Sequence, residues 1–276
     1  MTGSLLDRAL GALEYLSRFE RGAPLQAVAD DLGMPKSGAH RLLNDLVRLG
    51  YVHQDQAAGR YRLTARLLSI AFRHLTATGI VDAAQPALDR LARRSGELVR
   101  LSVTDGDRQT WVAKAQGARP GLIFDPQMGD AAQLSCMATG HAWLACLSNE
   151  EAMRLVSAQG FGSADAFGPS APQTVGDLLE ALERARSLGY ATVVDSSAPG
   201  TSALAAAIRH PVTGAVLGTV SVGGPSVRLT PHRIEALAPA VKETAGELAE
   251  CRAASGYLMS QVEAAAPLRL QRGEGG

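Results

Sequence analysis

Cysteine, aromatic residues and net charge are all scarce in this chain of 276 residues. Its three cysteines are an odd number and do not make the disulfide framework of a secreted domain, so we expect reduced thiols. Aromatic residues make up only 4% of the chain, and 27 basic residues are balanced by 27 acidic ones. Hydrophobic residues at 46% and charged residues at 20% nonetheless form a globular mixture, which excludes disorder as the main state.

Long apolar runs are also missing. No run approaches the roughly 18 residues that a membrane span requires, so no contact with a membrane is expected. Asp7, Arg8 and Glu14 interrupt the stretch in which an export signal needs continuous apolar residues. These absences predict a protein of the cytoplasm, and the length allows two domains of ordinary size.

The neutral total hides an uneven distribution of charge. Residues 1–78 hold ten lysines and arginines against seven aspartates and glutamates, whereas the remaining residues hold 17 against 20. A basic N-terminal part joined to a slightly acidic body favours a polyanion partner for the first part alone. The excess is small enough that a solvated helical surface also accounts for it.

Apolar periodicity in the first fifty residues predicts three helices. Leucines recur at helical spacing over residues 5–19. A short helix over about 25–31 follows a turn containing glycine and proline, and Gly33 ends it. Pro35 suits a first helical turn, which predicts the third helix over about 36–49.

Two short strand-like runs follow the third helix. They are YVH at 51–53 and RYRL at 60–63, and the polar segment between them predicts a β-hairpin. The order of three helices and a hairpin is that of a winged helix-turn-helix. We therefore predict a DNA-binding domain of this type over residues 1–63.

The third helix has two distinct faces. One arc of its helical wheel is apolar and consists of Ala39, Leu42, Leu43, Leu46 and Leu49. The opposite arc is polar and consists of Ser37, Arg41, Asn44 and Arg48. Arginine pairs with guanine edges, asparagine with adenine edges, and lysine or serine with phosphate. Any exposed helix carries such residues, but their place within a winged helix favours DNA binding.

Candidate DNA contacts follow from this helix and its neighbours. The residues assigned to base edges are Ser37, His40, Arg41 and Asn44. Lys36 at the helix start and Arg60 and Arg62 in the hairpin are assigned to phosphates. Gln26 on the second helix is the remaining candidate DNA contact.

Beyond the hairpin, the pattern predicts a connecting helix over residues 64–79 and then a larger α/β domain over 80–260. The runs ELVRLSV and QTWVAKA predict one hairpin, and YATVVD, SALAAAI and AVLGTVSV predict three later strands. A helix of small residues is expected near 137–147. The polar tail over 261–276 is expected to be frayed.

These segments together resemble one family. LQAVADDLGMPKSGAHRLLNDLVRLGYVHQD and GRYRLTARLLSI resemble the DNA-binding domain of IclR-type bacterial transcription regulators. LSCMATGHAWLACLSNEE and LGYATVVDSSAPGTSALAAAIRHPVTGAVLGTVSVGGPSVRLT resemble the effector-binding domain of the same family. The likeness runs over roughly residues 5–250 in unbroken order.

The resemblance implies a fold and a set of partners. The implied fold class is α/β (α+β), with an N-terminal winged helix-turn-helix, a linker helix and a GAF-like effector-binding domain with a curved antiparallel sheet. The implied partners are double-stranded operator DNA, a small organic acid or aromatic effector, and further copies of the chain in a homodimer or homotetramer. The implied role is repression or activation of a catabolic operon, through altered DNA affinity or contact with RNA polymerase.

The resemblance also implies an effector cleft between the sheet and nearby loops. The residues carried over to it are Ser135, Met137, Ala138, Thr139, Gly140, Asp195, Ala203, Ser221 and Gly223. Backbone N–H groups of the turn before Gly140 offer one way to hold a carboxylate. Tight backbone packing is the other interpretation of that turn.

Four positions depart from the family pattern. Ala203 stands where cysteine is usual, Ala207 where proline is usual and Gly223 where serine is frequent, and His141 replaces a frequent lysine. The loss of a thiol and a hydroxyl makes the expected pocket more apolar. This change favours a ligand larger than a two- or three-carbon keto acid, and aromatic acids fit that expectation.

Other functions have weaker support. Cys136 and His141 are close enough in sequence to suggest a nucleophile and its base, but five residues apart on a helix they point in different directions. The six histidines contain no i, i+4 pair and no CxxC motif is present, so neither a metal nor a cofactor is expected. We therefore expect no enzyme activity. An effector-independent DNA-binding protein whose second domain only dimerises is the alternative to a ligand-responsive regulator.

Overall fold

In the computed structural model the chain forms two compact units, Met1–Ala77 and Thr78–Gly276. The structure describes residues 4–118, 123–124, 132–162 and 167–251. The predicted tail over 261–276 lies outside the described residues, as do the last residues of the predicted second domain.

The first unit contains the elements of a winged helix. In chain order they are α1 (Leu5–Ser17), β1 (Ala23–Pro24), α2 (Leu25–Asp31), α3 (Lys36–Arg48), β2 (Val52–Asp55), β3 (Arg60–Leu63) and α4 (Arg66–Thr78). Ser4 caps α1, because its side chain accepts a hydrogen bond from the backbone N–H of Asp7 while the Asp7 carboxylate accepts one from Ser4. The structure confirms the predicted order of three helices followed by a hairpin.

Strand β1 is an addition to the predicted hairpin. It pairs antiparallel with β3 through Ala23 and Tyr61, which makes a three-stranded sheet of order β1-β3-β2. Gly22 precedes it with a φ of 71°, and a Cβ there would collide with the carbonyl of Tyr61. The sequence pattern predicts only a turn here, because a two-residue strand exists through its tertiary partner rather than through its own periodicity.

The core of the first unit lies between its helices and the small sheet. It includes Leu16 of α1, Val28 of α2, Leu43 of α3 and Tyr61 of β3, each of them buried. Leu49 was expected on the apolar face of α3, but it is 47% exposed. The expectation for Leu49 is therefore wrong: Leu49 is the C-cap residue of α3, and the core of this unit does not extend over that end of the helix.

The second unit is built around one sheet. Its elements are α5 (Ile80–Ser95), β4 (Leu98–Asp105), β5 (Arg108–Gln116), α6 (Ala138–Leu144), α7 (Asn149–Gln159), α8 (Val175–Leu188), β6 (Ala191–Val194), β7 (Thr201–Arg209), β8 (Val216–Pro225) and α9 (Pro231–Glu250). The sheet has the order β5-β4-β8-β7-β6 and every pairing in it is antiparallel. None of the described helices combines the length and hydropathy needed to cross a bilayer.

Helices cover both faces of this sheet. Ala205 of β7 joins a buried cluster with Ala142 of α6 and Ala185 of α8, which defines one face. Leu204 and Ile208 alternate with Ala205 along the strand and are fully buried, so the opposite face is covered as well, and α9 contacts β7. Because β7 and β8 pair in register, their residues on the face covered by α6 and α8 lie side by side across the sheet.

Candidate DNA-recognition helix and ligand cavity

A tight turn docks α3 against the rest of the first unit. Gly33 adopts a φ of 57°, and the backbone N–H of Met34 donates to the carbonyl of Ala29 at 3.0 Å. Leu42 and Leu43 then anchor α3 in the core. These contacts fix which side of the helix faces solvent.

The exposed side of α3 carries the predicted base-reading residues. The exposed side chains of this face are Lys36, Ser37, His40, Arg41, Asn44 and Arg48. Arg48 bonds the neighbouring Asp45, with 3.3 Å between Nη2 and Oδ1. The structure thus brings all five predicted contacts of α3 onto one accessible helix face, which is the arrangement that major-groove reading requires.

The wing places its two arginines differently. Arg60 is half-buried, and its Nη2 donates to the backbone carbonyl of Gly22 at 2.7 Å. Arg62 is exposed. At the tip, Asp55 Oδ1 accepts hydrogen bonds from the backbone N–H groups of Ala57 and Ala58, both at 3.0 Å, which closes the hairpin with a rigid turn.

Gln26 is held within its own helix. Its side-chain Nε2 donates to Asp30 Oδ1 at 2.8 Å, one turn further along α2. Both side chains are exposed, so the amide is oriented before any partner approaches.

A second site lies in the α/β unit, between the sheet and α6. It is a cavity of about 530 Å³, within the range of ligand pockets in proteins. Six of the nine predicted effector residues line it, namely Met137, Ala138, Thr139, Ala203, Ser221 and Gly223. The register explains part of this grouping, because Ala203 pairs with Gly223 across β7 and β8.

Three predicted effector residues do not line the cavity, namely Ser135, Gly140 and Asp195. Ser135 is buried and donates from Oγ to the carbonyl of Phe161 at 3.1 Å. Asp195 has a φ of 52° and accepts the backbone N–H of Gly200 on Oδ1 at 2.7 Å. Gly140 packs directly on the backbone of Leu134, which supports the tight-packing interpretation of that turn.

The cavity also contains residues that the sequence pattern does not single out. Among the described lining residues they include Arg100, Trp111, Phe124 and Phe167. The guanidinium carbon of Arg100 lies 3.7 Å from the centroid of the Trp111 ring. The one available signal is Arg100 itself, a charged residue in the middle of a run that predicts a strand, ELVRLSV.

Several hydroxyls around the cavity are tied to the protein. Thr201 Oγ1 donates to the carbonyl of Ala198 at 2.6 Å, and Ser202 Oγ donates to Ser226 Oγ at 2.9 Å. Gln133 Nε2 donates to the carbonyl of Gly160 at 2.6 Å. These bonds orient the described loop residues that border the cavity.

The Cys136–His141 pair does not form a catalytic site. Both side chains are buried, and burial raises the pKa of the Cys136 thiol to about 12. His141 Nε2 lies 2.8 Å from the carbonyl oxygen of Ser135, and burial lowers the pKa of its imidazole. A thiol without access to its thiolate form is not a nucleophile. The described part of the chain also holds no group of three or more residues suited to a metal ion.

Comparison with known families identifies the class of protein. A model of the IclR helix-turn-helix domain matches residues 5–56, and a model of the bacterial transcriptional regulator IclR C-terminal domain matches residues 72–250. The chain therefore belongs to the IclR family of bacterial transcriptional regulators.

Individual relatives agree with this assignment. The chain is 27% identical over 243 residues to the HTH-type transcriptional repressor AllR of Escherichia coli strain K12, covering 88% of each chain. The IclR transcriptional regulator from Alicyclobacillus acidocaldarius has a TM-score of 0.77 at 23% identity, covering 90% of this chain and 98% of that one. An IclR homolog from Microbacterium hydrocarbonoxydans, complexed with 4-hydroxybenzoate, has a TM-score of 0.71 at 20% identity, covering 95% of this chain and 100% of that one.

The protein is a DNA-binding transcriptional regulator and not an enzyme, as the sequence pattern predicts. The predicted architecture is confirmed in its main features. It consists of an N-terminal helix-turn-helix unit and a C-terminal α/β unit with an antiparallel sheet.

Proposed function

We propose that this protein is a ligand-responsive regulator of a catabolic operon, with a small organic acid as its effector. The observation that carries this proposal is the cavity of about 530 Å³ in the unit that does not contain the recognition helix. A purely architectural DNA-binding protein has no need of such a cavity. Because operator DNA is its partner, we place the protein in the cytoplasm.

On the DNA side, α3 enters the major groove. Arg41 and Asn44 read base edges, with Ser37 and His40 beside them on the same face. Lys36 and Arg62 contact phosphates, which orient the protein without reading sequence. Arg60 acts chiefly in holding the wing, because its guanidinium already bonds the carbonyl of Gly22.

The reading unit works as a dimer. Helix α1 exposes Leu6 at 67% and Leu10 at 52%, and α4 exposes Leu68 at 59% and Phe72 at 64%. Apolar faces of this kind on a water-soluble unit are expected to be covered by a partner. A second copy would place two recognition helices on half-sites about 34 Å apart, and pairing of dimers into a tetramer is compatible with this arrangement.

The domain assignment links the two sites. Residues 1–63 bind the operator, the helix over 64–79 acts as linker, and residues 80–260 bind effector and support oligomer formation. Effector binding biases the arrangement of the paired units and so changes DNA affinity or contact with RNA polymerase. Coupling of this kind is typically about 1–3 kcal/mol, or roughly 5- to 150-fold in affinity.

Two relatives in the family guide the proposal, one for the ligand and one for the regulatory output. The Microbacterium hydrocarbonoxydans homolog is complexed with 4-hydroxybenzoate, an aromatic acid. The relative in Escherichia coli is a repressor, which makes repression the first output to test here. Both observations concern those proteins, and they guide the choice of ligands below.

The test is a footprint of the full-length protein on the DNA beside its own gene, repeated with a panel of aromatic and keto acids. We expect a protected pseudo-palindrome whose occupancy changes with at least one acid. The doubly substituted Arg41→Ala, Asn44→Ala protein is the control, since it keeps the cavity and loses base reading. Protection that no acid alters would favour the alternative, an effector-independent protein whose second domain only dimerises.

A further inference from the structure

A second cavity lies in the α/β unit, apart from the proposed effector cavity. It measures about 270 Å³ and lies where the C-terminal ends of α6 and α8 meet the end of β7. Its described lining consists of alanines and one glycine, together with Cys146, Arg186, Tyr190 and Arg209. No described residue lines both cavities.

Buried alanines separate the two cavities. Ala203 lines the effector cavity and Ala207 lines the second cavity, whereas Ala205 between them on β7 is fully buried. Ala205 packs in one cluster with Ala142 of α6 and Ala185 of α8. The second cavity is therefore a space of its own and not an extension of the first.

Two arginines give this second cavity a positive charge. Arg186 comes from α8 and Arg209 from the end of β7, and none of the described lining residues is acidic. Arg186 Nη1 lies 3.3 Å from Glu183 Oε2, but the Glu183 side chain is 76% exposed, so water screens this pair. Burial raises the pKa of the Cys146 thiol, and the charges of Arg209 and Arg186 both act against that rise. The two cations thus converge on one space, which favours an anionic ligand there.

Backbone carbonyls orient both guanidinium groups. Arg186 donates from Nε to the carbonyl of Ala145 at 3.0 Å and from Nη2 to that of Leu147 at 3.1 Å. Arg209 donates from Nε to the carbonyl of Gly214 at 3.2 Å, and its Nη1 and Nη2 have no acceptor among the described residues. The terminal nitrogens of Arg209 are therefore available to a ligand, beside a second cation that the protein already holds in place.

The arrangement of these donors favours a phosphate group. One guanidinium suffices for the two coplanar oxygens of a carboxylate, whereas a phosphate group offers three acceptor oxygens pointing in different directions. Two guanidinium groups on different elements match the second geometry better than the first. Ligand pockets usually measure about 300–1,000 Å³, so a cavity of about 270 Å³ suits a small ligand.

We propose that the second cavity binds a small phosphate, either inorganic phosphate or a short phosphate monoester. Arg209 and Arg186 bind the phosphate oxygens, and the alanine-lined wall contacts any carbon chain that is attached. The proposal does not depend on which acid occupies the effector cavity, because the two cavities are separate.

Calorimetric titration of the full-length protein tests the ligand class. The compounds are inorganic phosphate, glycerol 3-phosphate and acetate. We expect at least one of the two phosphates to bind about 10-fold or more tightly than acetate, since a charge-assisted bond to a second guanidinium is added. Tighter binding of glycerol 3-phosphate would identify a monoester as the ligand, and tighter binding of inorganic phosphate would identify the free ion. Acetate binding equal to that of both phosphates, or no saturable binding of either phosphate, would overturn the proposal.

Substitution of Arg209 locates the binding. Arg209→Gln is expected to fold, because Arg209 is exposed, and to weaken phosphate binding by about 10- to 100-fold, as is typical for loss of a hydrogen bond to a charged group. Arg108→Gln is the matched control, because Arg108 is an exposed arginine of β5 that does not line the cavity. Circular dichroism shows that each variant is folded. Unchanged phosphate affinity in Arg209→Gln, or an equal loss in Arg108→Gln, would refute the assignment.

Filling the cavity supplies a test that leaves the charge unchanged. Ala207→Leu adds bulk on the strand that carries Arg209 and is expected to abolish phosphate binding. Folded Ala207→Leu protein that binds phosphate as tightly as the wild type would show that the ligand lies outside this cavity.

Discussion

Arg60 in the wing donates from Nη2 to the backbone carbonyl of Gly22 at 2.7 Å, and its Nε lies 3.2 Å from the same oxygen. The two residues are 38 positions apart in sequence. Their contact ties the hairpin to the turn that precedes α2 and so fixes the position of the wing beside the recognition helix. Arg60 was expected to contact a DNA phosphate. In the structure its guanidinium instead stabilises the position of the wing within the protein.

Arg60→Ala is therefore expected to lower the free energy of unfolding of the first unit by about 1 kcal/mol, the usual net value of a hydrogen bond with partial exposure. Urea unfolding followed by far-UV circular dichroism measures this. Arg62→Ala is the control, since Arg62 is exposed on the same strand. Equal stability of the two variants would argue against this role of Arg60.

Arg41 and Asn44 are expected to govern sequence preference. Replacement of either by alanine is expected to reduce discrimination against a substituted operator base by about 1–3 kcal/mol. Lys36→Ala is expected instead to weaken binding to all sequences alike and to reduce the salt dependence. Fluorescence anisotropy with operator and scrambled duplexes at several salt concentrations separates the two patterns.

Arg93→Ala serves as the control for these DNA measurements, because Arg93 is an exposed arginine of α5 in the other unit. A parallel loss of specific and non-specific binding in Arg41→Ala would contradict the base-reading role of that residue.

Gly223→Ser is expected to crowd the cavity. A Cβ added at this position would lie 3.3 Å from Phe124 Cε1, so the Phe124 ring would have to move by a few tenths of an ångström. We expect a destabilisation of about 1 kcal/mol and weaker binding of ring-containing acids. Thermal unfolding and calorimetry with benzoate measure the two effects.

Ala203→Ser provides the comparison for Gly223→Ser. It adds a hydroxyl to the same cavity from the paired position on β7. If both variants lose benzoate to the same degree, polarity rather than contact with Phe124 is responsible.

His141 gives the second unit a dependence on pH. Burial lowers the pKa of its imidazole below the ordinary 6.5, so the unfolded chain binds a proton that the folded chain does not. The contribution of His141 to the free energy of unfolding is therefore fully present above pH 6.5. It decreases as the pH falls below 6.5, by at most about 1.4 kcal/mol per pH unit. Urea unfolding between pH 5 and 8 measures this slope.

The matched variants for this prediction are His141→Gln and His232→Gln. The first is expected to flatten the dependence below pH 6.5, whereas the second removes an exposed histidine at the start of α9 and is expected to leave it intact. An unchanged slope in His141→Gln would show that other groups cause the dependence.

Local sequence determined much of the first unit. Periodic leucines, a proline at the start of α3 and a glycine after it predict the helices because capping and apolar spacing act over a few residues. The same reasoning identifies the exposed face of α3, since burial of Leu42 and Leu43 leaves Arg41 and Asn44 in solvent. Alternation of apolar residues also predicts the strands of the second unit, although not the order in which they pair.

The remaining lining of the cavity and the role of Arg60 were decided by tertiary structure. Arg100, Trp111 and Phe124 come from separate segments, and only strand pairing and loop packing bring them together. Asp195 was expected in the cavity, yet its carboxylate bonds the backbone of its own loop, because an unsatisfied N–H at Gly200 is costly to leave. Sequence spacing specifies which residues share an element, whereas the partners that a side chain meets across elements depend on packing, which no local pattern encodes.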